Sequence, residues 1–314
     1  MSELVAVIAG GLSAERDVSI RSGRRIAEEL RKADFEVAIL DLDSTLVDEL
    51  IRTKPACVFP LVHGPEGEAG SLQEVLAALA LPFVGSTANG CRRGFDKSVA
   101  SGLLEDAGFA TPDHVVMPQG VFRELGAQRL LEVVANQIGL PAMVKPNRGG
   151  SALGATRVDS ADELPSAMVA AFAYGDEVII EQFVEGTEIA VSVVDLGDGP
   201  IALPAVEIVP DSGIYDFSAR YTAGTTEFFV PARLSEDALT KAYELAVAAH
   251  TTLGARDWSR TDLIVNSDGV PHFIEINVVP GVTETSLFPQ SVQASDFEFP
   301  ALLTTFVNNA IDRG

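Results

Sequence analysis

Residues 260–277 read RTDLIVNSDGVPHFIEIN and space their polar groups in a way that can do chemistry. Asp268-Gly269 is a strong two-residue hairpin turn, and a loop of that length sets Ser267 opposite Val270. Counting back from there, Asp262 lies opposite Glu275 and Arg260 opposite Asn277. Side chains two apart share one face of a strand, so Arg260, Asp262, Glu275 and Asn277 form one polar cluster. Thr261, Leu263, Val265, Ile274 and Ile276 take the other face and read as core.

Directly opposed strand residues hold their Cβ atoms about 5 Å apart, where like charges are destabilising. At an effective dielectric near 20 the repulsion is roughly 3 kcal/mol. A divalent cation would remove it. Two carboxylates and an amide are oxygen ligands that suit Mg²⁺, with Mn²⁺ as a substitute, the rest of the shell coming from phosphates and water. A longer turn would instead shift the register, or the acids would splay into solvent.

Other stretches could serve an anionic ligand. KPNRGGSALGA places Lys145 before a glycine-rich turn between two strands: either a flap whose N–H groups close over phosphates, or a plain flexible tip. It is not a Walker loop, because there the lysine follows the glycines. Lys97, at the start of a predicted helix, is a second isolated cation or a surface lysine. IIEQFVEGTE offers Glu181 and Glu188 around the backbone of Gln182, Phe183 and Val184: an adenine edge and ribose acceptors, or a linker with exposed acids. Pro280-Gly281 turns the chain after the acidic hairpin, leaving the Gly281 N–H as an oxyanion donor beside Arg260, with Ser286 and Leu287 close by.

The elements that must position these groups alternate in type. ELVAVIAGG, EVAILDLD and ACVFPLVHG read as short buried strands separated by helices, the first helix carrying Ile20, Ile26, Ala27 and Leu30 as its apolar stripe. That pattern predicts a parallel α/β layer with ligands at the carboxyl ends of its strands, where GGLSAE and HGPEGEAG fall. From FDKSVASGLLEDAG onward the texture changes: short strands bracket the glycine-rich stretch, and EVIIEQFVEGTEIAVSVV supplies a strand, a turn and another strand. We expect an α/β protein with a Rossmann-like domain over 1–90, a central subdomain with the glycine flap over 91–185, and a catalytic subdomain over 186–314.

Formal net charge is 22 − 45 = −23, which argues against nucleic acid or an anionic membrane as partner. An anionic ligand must therefore be held by a few local cations and backbone N–H groups. Cys57 and Cys91 have no metal-type spacing and read as buried thiols of a reducing compartment. The short apolar start, with Glu3 and no basic run, reads as a strand rather than a leader, and a cytoplasmic protein is expected.

In their order, AGGLSAERDVSIRSG, LVHGPEGEAGSLQ, DKSVAS, VKPNRGGSALG, IIEQFVEGTE, YDFSARY and RTDLIVNSDGVPHFIEINVVPGVTETSLFP resemble the ATP-grasp ligases, and within them the D-alanine–D-alanine ligases of peptidoglycan synthesis. The resemblance spans nearly the whole chain. It implies the ATP-grasp fold, two D-alanines and ATP as substrates, and an acyl-phosphate intermediate. It also implies Lys97 and Lys145 on the ATP phosphates, and Glu181, Gln182, Val184 and Glu188 on adenosine. Asp262, Glu275 and Asn277 would hold two Mg²⁺, and Arg260 and Gly281 the oxyanion. Glu15 would take the first ammonium with His63 nearby, while Ser286 and Leu287 line the second site. Tyr221, Ser151 and Glu15 resemble the family's hydrogen-bonded trio that shuts the flap. Homodimers are common in the family.

The chain departs from the family pattern at four places. Ala152 stands for the second serine of the glycine loop, and Glu68-Ala69-Gly70 for Glu-Asp-Gly. Arg220 stands for a lysine at a substrate contact, and Val278 for a threonine. Tyr221 is absent from relatives that use D-lactate and so favours D-alanine as second substrate. Two other functions fit the same pieces: a related carboxylate–amine ligase joining other amino acids, and a nucleotide-binding protein without ligase activity.

Overall fold

The structure, a computed structural model, describes residues 3–215, 219, 220, 222 and 224–314. Its strands form three sheets taken in turn along the chain. In the first, β1 (Leu4–Ala9) is flanked in parallel by β2 (Glu36–Asp41) and β3 (Cys57–Pro60). Val5 to Ile8 are buried without alternation, as a strand covered on both faces requires. Helix α1 (Arg16–Lys32) crosses between β1 and β2.

The buried face of α1 is not purely apolar. Ile26, Ala27 and Leu30 are inside as expected, but Ile20 is only half-buried, and Ser19, Ser22 and Gly23 complete the face. Gly23 permits a close crossing, since a Cβ there would lie 2.6 Å from the Ala9 Cβ. Ser19 bridges two loops, accepting from the Gly10 N–H and donating to the Leu61 carbonyl. Buried hydroxyls answer buried backbone groups here, which an apolar pattern does not reveal.

The second sheet is antiparallel, in the order β4 (His114–Pro118), β7 (Glu177–Gln182), β5 (Ala142–Pro146) and β6 (Thr156–Val158). Helices Ala127–Ile138 and Leu164–Phe172 cover one face through Leu131, Val134, Ala167 and Met168. The glycine-rich stretch joins β5 to β6, as the sequence predicts.

The third sheet contains β8 (Thr187–Asp195), β9 (Pro200–Ala202), β10 (Val206–Pro210), β11 (Thr226–Phe229), β12 (Trp258–Val265) and β13 (Pro271–Asn277). Its order is β11-β10-β8-β12-β13, with β9 also on β8. Helix Glu236–Leu253 packs across it, started by the Ser235 side chain on the Ala238 N–H and ended at left-handed Gly254. Helix Lys97–Asp106 packs beside it, against β13.

The β12–β13 hairpin corrects part of the expected register. Arg260 pairs with Asn277 and Asp262 with Glu275 as predicted, but Val265 pairs with Pro271. The loop is three residues, 267–269, closed by the Asn266 N–H on the Val270 carbonyl, with Gly269 at φ 74°. A bulge at Ile274 then restores the polar pairing. Its consequence is that Phe273, not Ile274, enters the core, and Ile274 faces a cleft.

The last helix, Phe299–Arg313, returns to the first sheet. Leu302, Leu303, Phe306 and Val307 share a core with Val5, Val7 and Phe59, and the Arg313 guanidinium grips both oxygens of buried Asp257. Cys57 and Cys91 are buried and unpaired, and burial pushes both thiols up to about 12. Among the described residues no helix is long and apolar enough to cross a membrane.

Candidate active site

A cleft of about 960 Å³ opens between the second and third sheets, and a cavity of about 100 Å³ lies deeper, where the first sheet meets the third. Lys145, Glu181, Gln182, Val184, Glu188 and Asp262 line the cleft. Glu15, His63, Ser151, Arg260, Asn277, Gly281, Ser286 and Leu287 line the cavity. Lys97, Arg220 and Glu275 line both. Tyr221 lies outside the described residues.

Glu275 stands at the junction. Lys97 Nζ lies 3.2 Å from its Oε2 and donates to the Gly149 carbonyl at 2.6 Å. Asp262, directly opposite, is gripped by the Arg260 fork, with Nε–Oδ1 at 2.7 Å and Nη2–Oδ2 at 2.9 Å. Burial works against charge on Glu275, but Lys97, Arg220, Lys145 and Arg260 outweigh it and hold the carboxyl at about 2. Desolvation opposes charge on Arg260 too, yet Asp262 keeps its guanidinium more firmly protonated than usual.

Lys97 is placed by its helix start. The Asp96 side chain caps the helix on the Val99 N–H and also accepts from Asn147 Nδ2 and Arg148 Nε at the root of the glycine loop. The lysine and the loop therefore share one fixed point. Beyond it, Ser151 donates a hydrogen bond to Glu15 at the start of α1, so the loop touches the first sheet's edge. Ser151 and Ala152 are both left-handed, at φ 53° and 54°.

In the cleft, buried Lys145 is paired with buried Glu181 across β5 and β7. Burial pushes Glu188 up to about 7; Arg220 opposes this, and Asp262 and Glu275 reinforce it. The Arg157 guanidinium stacks on the Phe183 ring at the cleft wall. Arg220 stacks on Tyr215, 4.4 Å from the ring centroid.

Ile274, Tyr215 and Glu68 also line these spaces and were not among the site residues expected from the sequence. Ile274 faces the cleft because of the bulge, which periodicity does not show. Tyr215 is met only through its stacking. Glu68, deeply buried, accepts from the Gly64 N–H at 2.8 Å and sits 3.8 Å from His63 Nδ1. Its signal was its place in HGPEGEAG at the carboxyl edge of the parallel sheet. Burial, and then Glu68, raise the pKa of Glu15, while Ser151, His63 and Arg220 lower it. Buried Glu68 and half-buried Glu15 around a small cavity favour a compact cation such as an ammonium.

Among the described residues no group of three or more His, Cys, Asp or Glu side chains converges as a metal site. The donor set at the junction is two carboxylates and the Asn277 amide, whose Oδ1 also accepts from the Val279 N–H. So few protein oxygens suit a cation that takes the rest of its shell from phosphates.

A cleft between two antiparallel sheets, opening at a carboxylate pair onto a parallel α/β layer, is the ATP-grasp architecture, and solved structures agree. A D-alanine–D-alanine ligase from Bacillus anthracis complexed with ATP superposes with a TM-score of 0.82 at 27% identity, over 99% of this chain and 98% of that one. A D-Ala:D-Ser ligase from Enterococcus faecalis gives 0.84 at 26%, over 99% and 100%. Residues 103–308 match a family model described as the D-ala D-ala ligase C-terminus. The D-alanine–D-alanine ligase of Anaeromyxobacter dehalogenans is 38% identical over 306 residues, 98% of this chain and 96% of that protein. That of Pelotomaculum thermopropionicum is 32% identical over 312 residues, 99% and 98%. The chain belongs to the D-alanine–D-alanine ligase family.

Proposed function

We propose that the protein joins two D-alanines to D-alanyl-D-alanine for peptidoglycan precursor synthesis, forming ADP and phosphate from ATP. The observation that carries this reading is that Lys97, Arg220 and Glu275 line both the large cleft and the small cavity. At that junction a γ-phosphoryl group in one can meet a carboxylate in the other.

In this reading the first D-alanine binds with its ammonium at Glu15, beside His63 and Glu68. Its carboxylate oxygen attacks the γ-phosphorus and ADP departs. The amine of the second D-alanine, seated by Ser286 and Leu287, attacks the acyl carbon. Arg260 and the Gly281 N–H stabilise the tetrahedral oxyanion, each donor worth about 2 kcal/mol or more. Collapse expels phosphate. Lys97, Lys145 and Arg220 face the phosphates, while Glu181, Gln182, Val184 and Glu188 hold adenosine. The Ser151–Glu15 hydrogen bond draws the glycine loop over the intermediate, which water would otherwise hydrolyse. Tyr221 completes that trio in the family pattern.

Asp262, Glu275 and Asn277 would hold two Mg²⁺, or Mn²⁺; such ions neutralise charge on the transferred phosphoryl group. The pairing of two acids at adjacent positions on β12 and β13 supports this set. We also propose domain limits at 1–90, 91–185 and 186–314, a cytoplasmic location consistent with two free thiols, and a homodimer, which light scattering would test.

Phosphate release from ATP and Mg²⁺ against single and paired D- and L-amino acids, with product mass, tests the main reading. Release with D-alanine alone, yielding the dipeptide, supports it. Release only with another pair, D-alanine with D-serine included, would move the protein to a sister activity. Nucleotide binding without release in any mixture would sink the ligase reading.

A further inference from the structure

Residues 278–286 carry Gly281 and Ser286 in irregular chain between β13 and helix Leu287–Gln293, without a strand ladder to fix them. The backbone polar groups of such a loop must find partners elsewhere. Some are local: the Asn277 amide accepts from the Val279 N–H, and Ser286 Oγ from the Thr283 N–H. Others come from α1, 257 to 260 residues away in sequence. Fully buried Ser22 accepts from the Val282 N–H at 3.2 Å. Arg25 Nη1 donates to the Val282 carbonyl at 3.1 Å and the Thr283 carbonyl at 2.8 Å, with its guanidinium against the Phe299 ring.

Ser22 and Arg25 stand on one face of α1, whose N-terminal neighbour is Glu15. Neither lines the cavity. We infer that Ser22 and Arg25 are positioning residues that hold the Gly281 N–H and the Ser286 side of the cavity in register with Glu15. The inference rests on the ligase reading above. One rigid helix then spaces the first amino acid's ammonium from the groups that receive the second. Charge-assisted bonds from a guanidinium to two consecutive carbonyls fix both distance and direction. Such placement matters because an oxyanion donor acts only within a few tenths of an ångström of its working distance, and a misplacement of about 1 Å can cost on the order of 10²-fold in rate.

The test is two-site steady-state kinetics on Arg25→Ala, Ser22→Ala and Arg25→Lys, with nucleotide affinity, melting temperature and the ratio of phosphate released to dipeptide formed. We expect Arg25→Ala to lower kcat/KM for the second D-alanine by on the order of 10²-fold and to raise the phosphate-to-dipeptide ratio as the acyl phosphate waits for an amine. First-site affinity and ATP affinity stay unchanged. Arg25→Lys recovers part of the loss, and Ser22→Ala gives a smaller shift of the same kind, which keeps the test open if Arg25→Ala does not fold. Unchanged second-site kinetics and product ratio in the folded variants would overturn the inference, as would a loss spread equally over ATP binding and melting temperature. A wild-type protein that makes normal dipeptide beside indifferent variants defeats this inference alone. A wild-type protein that releases no phosphate with any amino acid defeats the ligase reading beneath it.

Discussion

Asp262 and Glu275 face each other across β12 and β13, and different cations hold them: the Arg260 fork grips Asp262, and Lys97 reaches Glu275 from a separate helix. The repulsion anticipated between paired acids is therefore already relieved by protein charges. Glu275→Gln keeps the shape and removes the anion. It should lower kcat by roughly 10³-fold, about 4 kcal/mol of transition-state stabilisation, with an unchanged circular dichroism spectrum. Near-normal turnover would remove Glu275 from the phosphoryl-transfer machinery.

The bulge in β13 separates two neighbours that sequence pattern alone confuses. Phe273→Ala empties a packed core site and should cost about 4 kcal/mol in urea unfolding. Ile274→Ala should cost under about 1 kcal/mol yet weaken ATP binding several-fold. Equal stability losses at both positions would contradict the bulged register.

Lys145 and Glu181 are a buried pair in the cleft. Lys145→Met strands a carboxylate among protein atoms and should destabilise by about 3 kcal/mol. Adding Glu181→Leu should recover much of that loss without restoring ATP affinity. A double-mutant cycle read by denaturation and by nucleotide titration separates the two effects.

Burial, outweighing Asp195, lowers the His250 pKa to about 4 from its ordinary 6.5. The folded protein keeps the ring neutral while the unfolded chain takes up a proton as pH falls, so stability drops with acidification. The contribution is whole above pH 6.5 and is lost as pH approaches 4, on the order of 3 kcal/mol in all. Urea midpoints across that range should show the slope in the wild type, and His250→Gln should flatten it.

Much of this frame was legible before any coordinates. Apolar runs marked the strands of the parallel layer, and the glycine-rich stretch was legible as the link between two strands, β5 and β6. The polar pairing of Asp262 with Glu275 came from counting back along a hairpin, and it held because two deviations cancelled: a loop one residue longer and a bulge one residue wide. What stayed hidden depends on long-range partners. Ser22 looks like a surface serine until Val282 is placed against it, and Glu68 like a solvated acid until the parallel sheet folds His63 over it. The four-residue helix that carries Glu68 is too short to have a periodicity.

The last helix supplies Phe306 and Val307 to the same core as Val5 and Phe59. On the ribosome, β1 emerges long before the helix that shares its core. Until then Val5, Phe59 and the inner face of α1 lack the cover that Phe306 and Val307 provide. The nascent chain thus lacks a finished first core until that helix has emerged, leaving an interval in which exposed apolar surface invites chaperone binding. Stalled chains lacking residues 299–313 should accumulate with such helpers rather than as partly active enzyme.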